Sequence, residues 1–394
     1  MLGPAFVAAI AYVDPGNVAA NLTGGAKFGY LLVWVLVTAN LMAGLVQYQS
    51  AKLGLVSGRT LPELLGERLK PGARRLFWAQ AEIVAVATDL AEVIGGAIAL
   101  NLLFSLPLVL GGVIVGAVSM VLLALQSRFG QRPFESVVIG LLAIIAVGFL
   151  AGLFVTPPDA GAVLDGLIPR FDGSDSVVLA ASMLGATVMP HAIYVHSALA
   201  RDRHGRSESA GALRRLLRIT KWDIVVALGV AGVVNIGMLL LAAVNLRGAA
   251  GTDTISGAYL AIGHSLGGGI ALVFAIGLLA SGLASTSVGS YAGATIMAGL
   301  LKRRVPVFVR RFVTLIPALV ILGVGVDPTL ALVISQVFLS FGIPFALVPL
   351  LRLTNDRSIM GEQANRLPVR WALGVTVGLV IILNVALIVL TISG

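Results

Sequence analysis

Two short stretches of the chain combine helix-breaking residues with groups that can bind a cation. The first is Ala11-Tyr12-Val13-Asp14-Pro15-Gly16-Asn17. Pro15 has no N–H, so it cannot bond the carbonyl four residues back, that of Ala11, and Gly16 lets the backbone unwind further. A freed carbonyl, a carboxylate and an amide oxygen thus fall within one short segment. In the second, Ala186-Thr187-Val188-Met189-Pro190-His191, Pro190 frees the Ala186 carbonyl and Met189 adds a thioether. Taken alone, the first also reads as an Asx–Pro–Gly surface turn. The second also reads as a proline kink with Met189 as core filler. Position argues otherwise. Apolar residues run up to the first break, a chain turning back after nine or ten residues would not cross a bilayer, and the second break repeats the first.

The donor set has a chemical preference. Asp14, Asn17 and the Ala11 and Ala186 carbonyls are hard oxygens, which alone would suit Mg²⁺ or Ca²⁺. The thioether of Met189 gains nothing from those ions but favours Mn²⁺, Fe²⁺, Co²⁺ or Cd²⁺. The chain has no cysteine, which argues against tight thiolate capture. A divalent transition metal is the expected ligand. Gln336, on a later apolar span, either adds an amide oxygen or simply bonds a neighbouring helix.

Titratable residues recur nearby. Glu82, Asp89 and Glu92 are spaced by seven and three, which puts them on one helical face. Ionised carboxylates facing lipid are costly, so these must face a polar interior, be protonated or be paired. One reading is a structural ion-pair cluster with Arg310 and Arg311; the other is a proton route. His191 adjoins the second break, and His196 lies about 10 Å further along if the helix continues. Each is either a proton carrier near neutral pH or a satisfied interior histidine.

Such residues need a membrane to explain their surroundings. Of 394 residues, 58% are apolar and 11% charged, against about 25% charged in ordinary soluble domains. A water-soluble enzyme, a disordered chain and a disulfide framework are excluded. Eleven apolar spans are expected near 2–24, 30–53, 73–104, 107–126, 134–155, 176–200, 222–246, 258–300, 307–325, 328–352 and 369–392, the first and sixth interrupted. The eighth is too long for one crossing, so its first part, up to Gly267-Gly268-Gly269, is expected to be an outer helix or loop. Together they form one transmembrane domain over 1–394, and no cleavable signal peptide is expected.

With the N-terminus in the cytoplasm and the C-terminus outside, all basic residues except Lys27, Arg170 and Arg247 fall in inside loops. These include Arg206, Arg303 and Arg304. That segregation is what the positive-inside rule predicts, so the net charge of +9 is topogenic and not a nucleic-acid footprint. No obligate protein partner is evident beyond the lipid bilayer. Five spans separate Asp14 from Met189, and an odd number inverts the second half relative to the first. Halves of about 1–155 and 176–352, with 369–392 as an extra helix, match inverted-repeat secondary transporters with broken first helices.

These residues resemble the Nramp family of proton-coupled divalent metal transporters. The carrying motifs are Asp14-Pro15-Gly16-Asn17 and Met189-Pro190-His191, supported by Thr88 to Gly95 and by Tyr291-Ala292-Gly293 before Met297. The resemblance implies an all-α, leucine-transporter-like 5+5 inverted repeat with discontinuous helices 1 and 6. It also implies Mn²⁺ or Fe²⁺ as transported substrate, moving inward across the cell membrane with protons, and no permanent cofactor. Asp14, Asn17 and Met189 would bind metal with the Ala11 and Ala186 carbonyls; Asp14, Glu92, Asp89 and His191 would handle protons. Two departures stand out: Ala192 follows His191 where the family often has Asn, and the N-terminal cytoplasmic segment is nearly absent. The main rival is an amino-acid or Na⁺ symporter on the same fold. A membrane-embedded enzyme would need a nucleophile–base pair or hydrolase ligands, and none is evident.

Overall fold

The computed structural model describes all residues except 1–2, 130, 206–208, 249–250, 253, 303–305 and 394. Arg206, Arg303 and Arg304, and the side chains of Arg128 and Arg132, therefore lie outside the described residues. Every regular element described is helical: α1 (Pro4–Ile10), α2 (Pro15–Phe28), α3 (Val33–Ser57), α4 (Leu61–Arg68), α5 (Pro71–Phe104), α6 (Leu108–Phe129), α7 (Gln131–Val155), α8 (Ala160–Asp165), α9 (Gly173–Thr187), α10 (Pro190–His204), α11 (Ala210–Asn245), α12 (Ile255–Leu266), α13 (Gly268–Leu301), α14 (Val307–Val324), α15 (Pro328–Asn355), α16 (Arg357–Met360) and α17 (Leu367–Ser393).

Each expected apolar span coincides with a helix or a broken helix pair. By length and apolarity, seven helices among the described residues could cross a membrane, with Pro4–Val13 as a shorter apolar stretch. Two of the expected spans fall short of these criteria for physical reasons. The first span is split at Asp14, and α3 carries Asn40 in its first half and Gln47, Gln49 and Lys52 in its second. The long span at 258–300 divides as expected, but as two helices: Gly267 (φ 95°) ends α12, while Gly268 and Gly269 already belong to α13.

Both interruptions are built by proline at the first position of the following helix, where its missing N–H costs nothing. Ala11–Val13 tightens into a 3₁₀ turn, Asp14 is extended, and α2 starts at Pro15. Val188 and Met189 leave the helical region, and α10 starts at Pro190. The two broken pairs lie in the middle of the bundle: α2 packs on α11, α9 and α15, and α10 on α3, α13 and α15. α5 lies against α13, α15 and α14. The periphery is lipid-like in character, with Val375, Ile382 and Val389 of α17 and Phe312 and Val320 of α14 exposed.

Candidate metal centre

The first break orders its own side chains. Asp14 Oδ1 accepts from the Asn17 backbone N–H at 2.8 Å and from Asn17 Nδ2 at 2.7 Å, a helix N-cap with a second arm. Asn17 Nδ2 also donates to the Ala186 carbonyl at 2.9 Å, which stitches the first break to the second. That bond turns the remaining oxygens away from protein donors. Asp14 Oδ2 and Asn17 Oδ1 are buried with no hydrogen-bond partner, as are Thr187 Oγ1 and Gln336 Oε1.

Gln336 of α15 reaches the same place. A Cβ on Gly16 would collide with the Gln336 carboxamide, so the glycine needed for unwinding also admits this side chain. Gln336 Nε2 is engaged by Ser335 Oγ at 3.2 Å, leaving its oxygen unpartnered. Asp14, Asn17, Met189 and Gln336 are all fully buried. Buried oxygens without donors are expensive unless something positive meets them. An acidic oxygen, two amide oxygens, backbone carbonyls and a thioether are a donor set for a dication of intermediate softness. No group of three or more His, Cys, Asp or Glu suited to a metal occurs among the described residues; this site has one carboxylate and mixes its other ligand types.

Neighbouring helices hold the unwound backbone. Asn235 Nδ2 donates to the Tyr12 carbonyl at 2.6 Å and Asn21 Nδ2 to Asn235 Oδ1 at 2.9 Å. Ser281 Oγ donates to the Val13 carbonyl at 2.5 Å. Irregular backbone at membrane depth needs such donors. Asn235 and Gln47 are thus interhelical bonders. Ser281 could not have been singled out, because serine on an apolar helix has no distinguishing pattern.

The carboxylate row on α5 divides. Arg310 Nη2 lies 3.0 Å from Glu82 Oε1, and Arg311 Nη1 lies 3.1 Å from Asp89 Oδ1 with both side chains buried. Arg311 is further held by Ser119 Oγ at 3.0 Å and Thr286 Oγ1 at 3.4 Å. Glu92, one turn on, is fully buried, and neither oxygen has a hydrogen-bond partner. Glycines of α13 make room: a Cβ on Gly293 would strike the Arg310 guanidinium, and one on Gly289 would crowd Glu92 and Asp89. The ion-pair reading therefore fits Glu82 and Asp89, and leaves Glu92 as the acid without a counter-ion.

The histidines are separated from each other by their partners. Thr88 Oγ1 donates to the Val84 carbonyl at 3.0 Å, so its contact with His191 Nδ1 at 3.3 Å leaves the histidine as donor. His196 Nδ1 meets the Gln47 carboxamide oxygen at 2.6 Å, an acceptor, while Gln47 Nε2 donates to the Tyr12 hydroxyl at 2.5 Å. Both rings thus carry their proton on Nδ1 and present an unpartnered, buried Nε2. Thr88 places His191 beside the α5 acids; His196 belongs to a chain running back to Tyr12.

Fold and site together define a multi-pass membrane transporter of the broken-helix, inverted-repeat type. A sequence profile of the Nramp, or natural resistance-associated macrophage protein-like, family matches residues 5–390. The divalent metal cation transporter MntH of Mycobacterium tuberculosis H37Rv is 60% identical over 394 residues, covering all of this chain and 92% of that protein. MntH of Deinococcus radiodurans is 45% identical over 367 residues, 93% of this chain and 84% of that one. The crystal structure of an Eremococcus coleocola manganese transporter matches with a TM-score of 0.88 and 33% identity, over 98% of this chain and 85% of that one. MHP1, a nucleobase-cation-symport-1 transporter, shares the fold alone: TM-score 0.60 at 16% identity, covering 94% and 81%. The chain belongs to the Nramp family, whose members are transporters and not enzymes.

Proposed function

We propose that this protein imports divalent transition metals, Mn²⁺ and Fe²⁺ first and Co²⁺ and Cd²⁺ besides, across the cell membrane together with protons. Its relatives' names, a divalent metal cation transporter and a manganese transporter, support the substrate class. The observation that carries the reading is the trio of buried, unpartnered oxygens, Asp14 Oδ2, Asn17 Oδ1 and Gln336 Oε1, around two helix breaks joined by Asn17 and bearing Met189. Metal is held there by Asp14, Asn17, Met189, Gln336 and the carbonyls of Ala11 and Ala186. A bare dication in hydrocarbon is prohibitive, so an anionic oxygen and several dipoles must replace its water.

Alternating access follows from rearranging the half-helices about that site. Eleven crossings, with the N-terminus inside and the C-terminus outside, suit the segregation of basic residues. The halves are about 1–155 and 176–352, with 369–392 apart. Protons pass by Asp14 and Glu92, with Asp89, Glu82 and their partners Arg311 and Arg310 setting the local charge, and His191 and His196 offering an open Nε2.

The amino-acid or Na⁺ symporter reading meets an obstacle in the first break. A substrate carboxylate would need the free N–H groups at the start of α2, where Asp14 already accepts from Asn17, and its charge would repel the newcomer. At the second break, Pro190 has no N–H to offer. Uptake of Mn²⁺ against Ca²⁺ into proteoliposomes, with internal pH recorded, tests the proposal. Mn²⁺-dependent internal acidification is expected. Uptake driven by Na⁺ or by an amino acid, without metal, would overturn it.

A further inference from the structure

We propose that the segment between α15 and α17 forms a binding site for the phosphate headgroup of an anionic membrane lipid. The segment encloses a cavity of about 890 Å³ lined by Arg357, Glu362, Asn365, Arg366, Leu367 and Arg370 among others. Arg357 and Arg366 are exposed and form no ion pair among the described residues. Arg370 is half-buried and aimed by one bond, its Nε donating to the Asn365 carbonyl at 2.9 Å, which leaves its two terminal nitrogens for a ligand. Three other arginines of the polar loops are already engaged: Arg59 with Glu67, Arg68 with Asp356, Arg201 with Glu63. Three guanidiniums outweigh the single carboxylate of Glu362. Planar guanidinium forks match phosphate oxygens, and the first turn of the 27-residue helix α17 adds its partial positive charge.

The wall below the cavity points to a lipid as the source of that phosphate. Leu367 and Trp371, four residues apart on α17, are 66% and 68% exposed, and Val375 and Ile382 continue the same face. A tryptophan at the polar end of such a face is typical of the headgroup level of a bilayer. A phosphodiester in the cavity would therefore have its acyl chains along an apolar helix face that already meets hydrocarbon. The site is also tied to the transport core. Asn365 accepts from Lys52 Nζ of α3 at 2.6 Å and donates to Thr354 Oγ1 at 2.9 Å, at the end of the helix that carries Gln336.

The test is native mass spectrometry of the purified full-length protein equilibrated with equal phosphatidylglycerol and phosphatidylcholine. Wild type should retain phosphatidylglycerol selectively. Each arginine near a lipid surface contributes about 1 kcal/mol, roughly a fivefold factor. Arg366→Gln should thus weaken retention about fivefold, and Arg357→Gln with Arg366→Gln about twenty- to thirtyfold. Neither residue makes a structural bond, so both variants should fold as wild type does. Arg215→Gln, on the exposed start of α11, should change nothing. Equal retention of the two lipids, or as large a loss in Arg215→Gln as in the double variant, would overturn the site. Displacement of phosphatidylglycerol by millimolar inorganic phosphate would show that a free anion, not a lipid, is the ligand.

Discussion

The membrane interior of this protein holds acidic side chains in two places, and they are built in opposite ways. On α5, Glu82 and Asp89 each face an arginine of α14 at 3.0 and 3.1 Å. At the broken helices, Asp14 is capped on one oxygen by Asn17 while the other has no partner, and amide oxygens of Asn17 and Gln336 stand unpartnered as well. Arginine side chains supply the paired acids of the first cluster with a built-in counter-charge. The second is left incomplete by the protein, which is what a site must be if its cation arrives and leaves. Glu92 stands between the two designs: it sits among the α5 acids, yet among the described residues it has neither an ion pair nor a hydrogen-bond partner, whereas Asp89, also without a hydrogen bond, at least faces Arg311.

The largest expected effect comes from removing the charge at the incomplete site. Asp14→Asn keeps an N-cap of equal quality, so α2 should still start at Pro15 and the thermal midpoint should change little. Mn²⁺ uptake should fall to the level of empty liposomes. Wild-type uptake in a folded Asp14→Asn protein would remove the contrast between the two clusters, because the anionic oxygen would then be dispensable.

Breaking the complete cluster should do the reverse and damage the fold. Arg311→Gln leaves Asp89 buried without its counter-charge, a situation that costs about 3–5 kcal/mol. Arg310→Gln should cost less, since Glu82 is 19% exposed and water can reach it. Combining Asp89→Asn with Arg311→Gln should recover much of the loss, as coupled sites do. Detergent-solubilised thermal unfolding checks the series. A single Arg311→Gln variant as stable as wild type would mean that Asp89 is already neutral and that the pairing is not what holds α5 to α14.

How far these two designs can be read from sequence depends on how local their causes are. The helix breaks are legible, because Pro15 and Pro190 act on the backbone within one turn. The apolar spans are legible too, and so is the split of 258–300 near its three glycines. The division of the α5 row is not: Arg310 and Arg311 are named by composition as possible partners, but which acid each meets depends on how α14 lies against α5. Gln336 reads as either ligand or interhelical bond until Gly16 is seen to admit it. Small polar residues such as Ser281 and Ser119 act through individual contacts made by folding and carry no pattern at all. The short helix α4 is a different case, since Thr60 and Glu63 have the spacing of a capping box and form one; a search for apolar runs passes over it.

A subtler effect tests the softness of the incomplete site. Met189→Ala removes the thioether and leaves every oxygen donor in place. Loss of a residue beyond the inner ligands already costs about 10–100-fold in metal affinity in known sites, so Mn²⁺ and Cd²⁺ should weaken by at least roughly tenfold. Ca²⁺, which gains nothing from sulfur, should compete relatively better. Competition assays in proteoliposomes measure the ratio. Unchanged Ca²⁺ competition would assign Met189 to packing and leave selectivity to the oxygens.

The smallest effect belongs to a pair outside the membrane, where water does what the buried arginines must do inside. Asp356 caps α16 and meets Arg68 at 2.9 Å. Its carboxyl is pulled down to about 2, first by the hydrogen bonds from Ser358 and then by Arg68. A depressed carboxylate contributes stability above its unfolded value of about 3.9 and loses it as pH falls toward about 2. Asp356→Asn should therefore lower the midpoint slightly at neutral pH, only slightly because solvent screens an exposed pair, and the difference from wild type should vanish as pH falls from about 4 toward about 2. Thermal midpoints of wild type and variant, compared between neutral pH and acid, measure it. An effect at neutral pH as large as that of Arg311→Gln would mean that solvent access does not separate the two kinds of pair. The contrast between buried and wet charge would then have to rest on geometry alone.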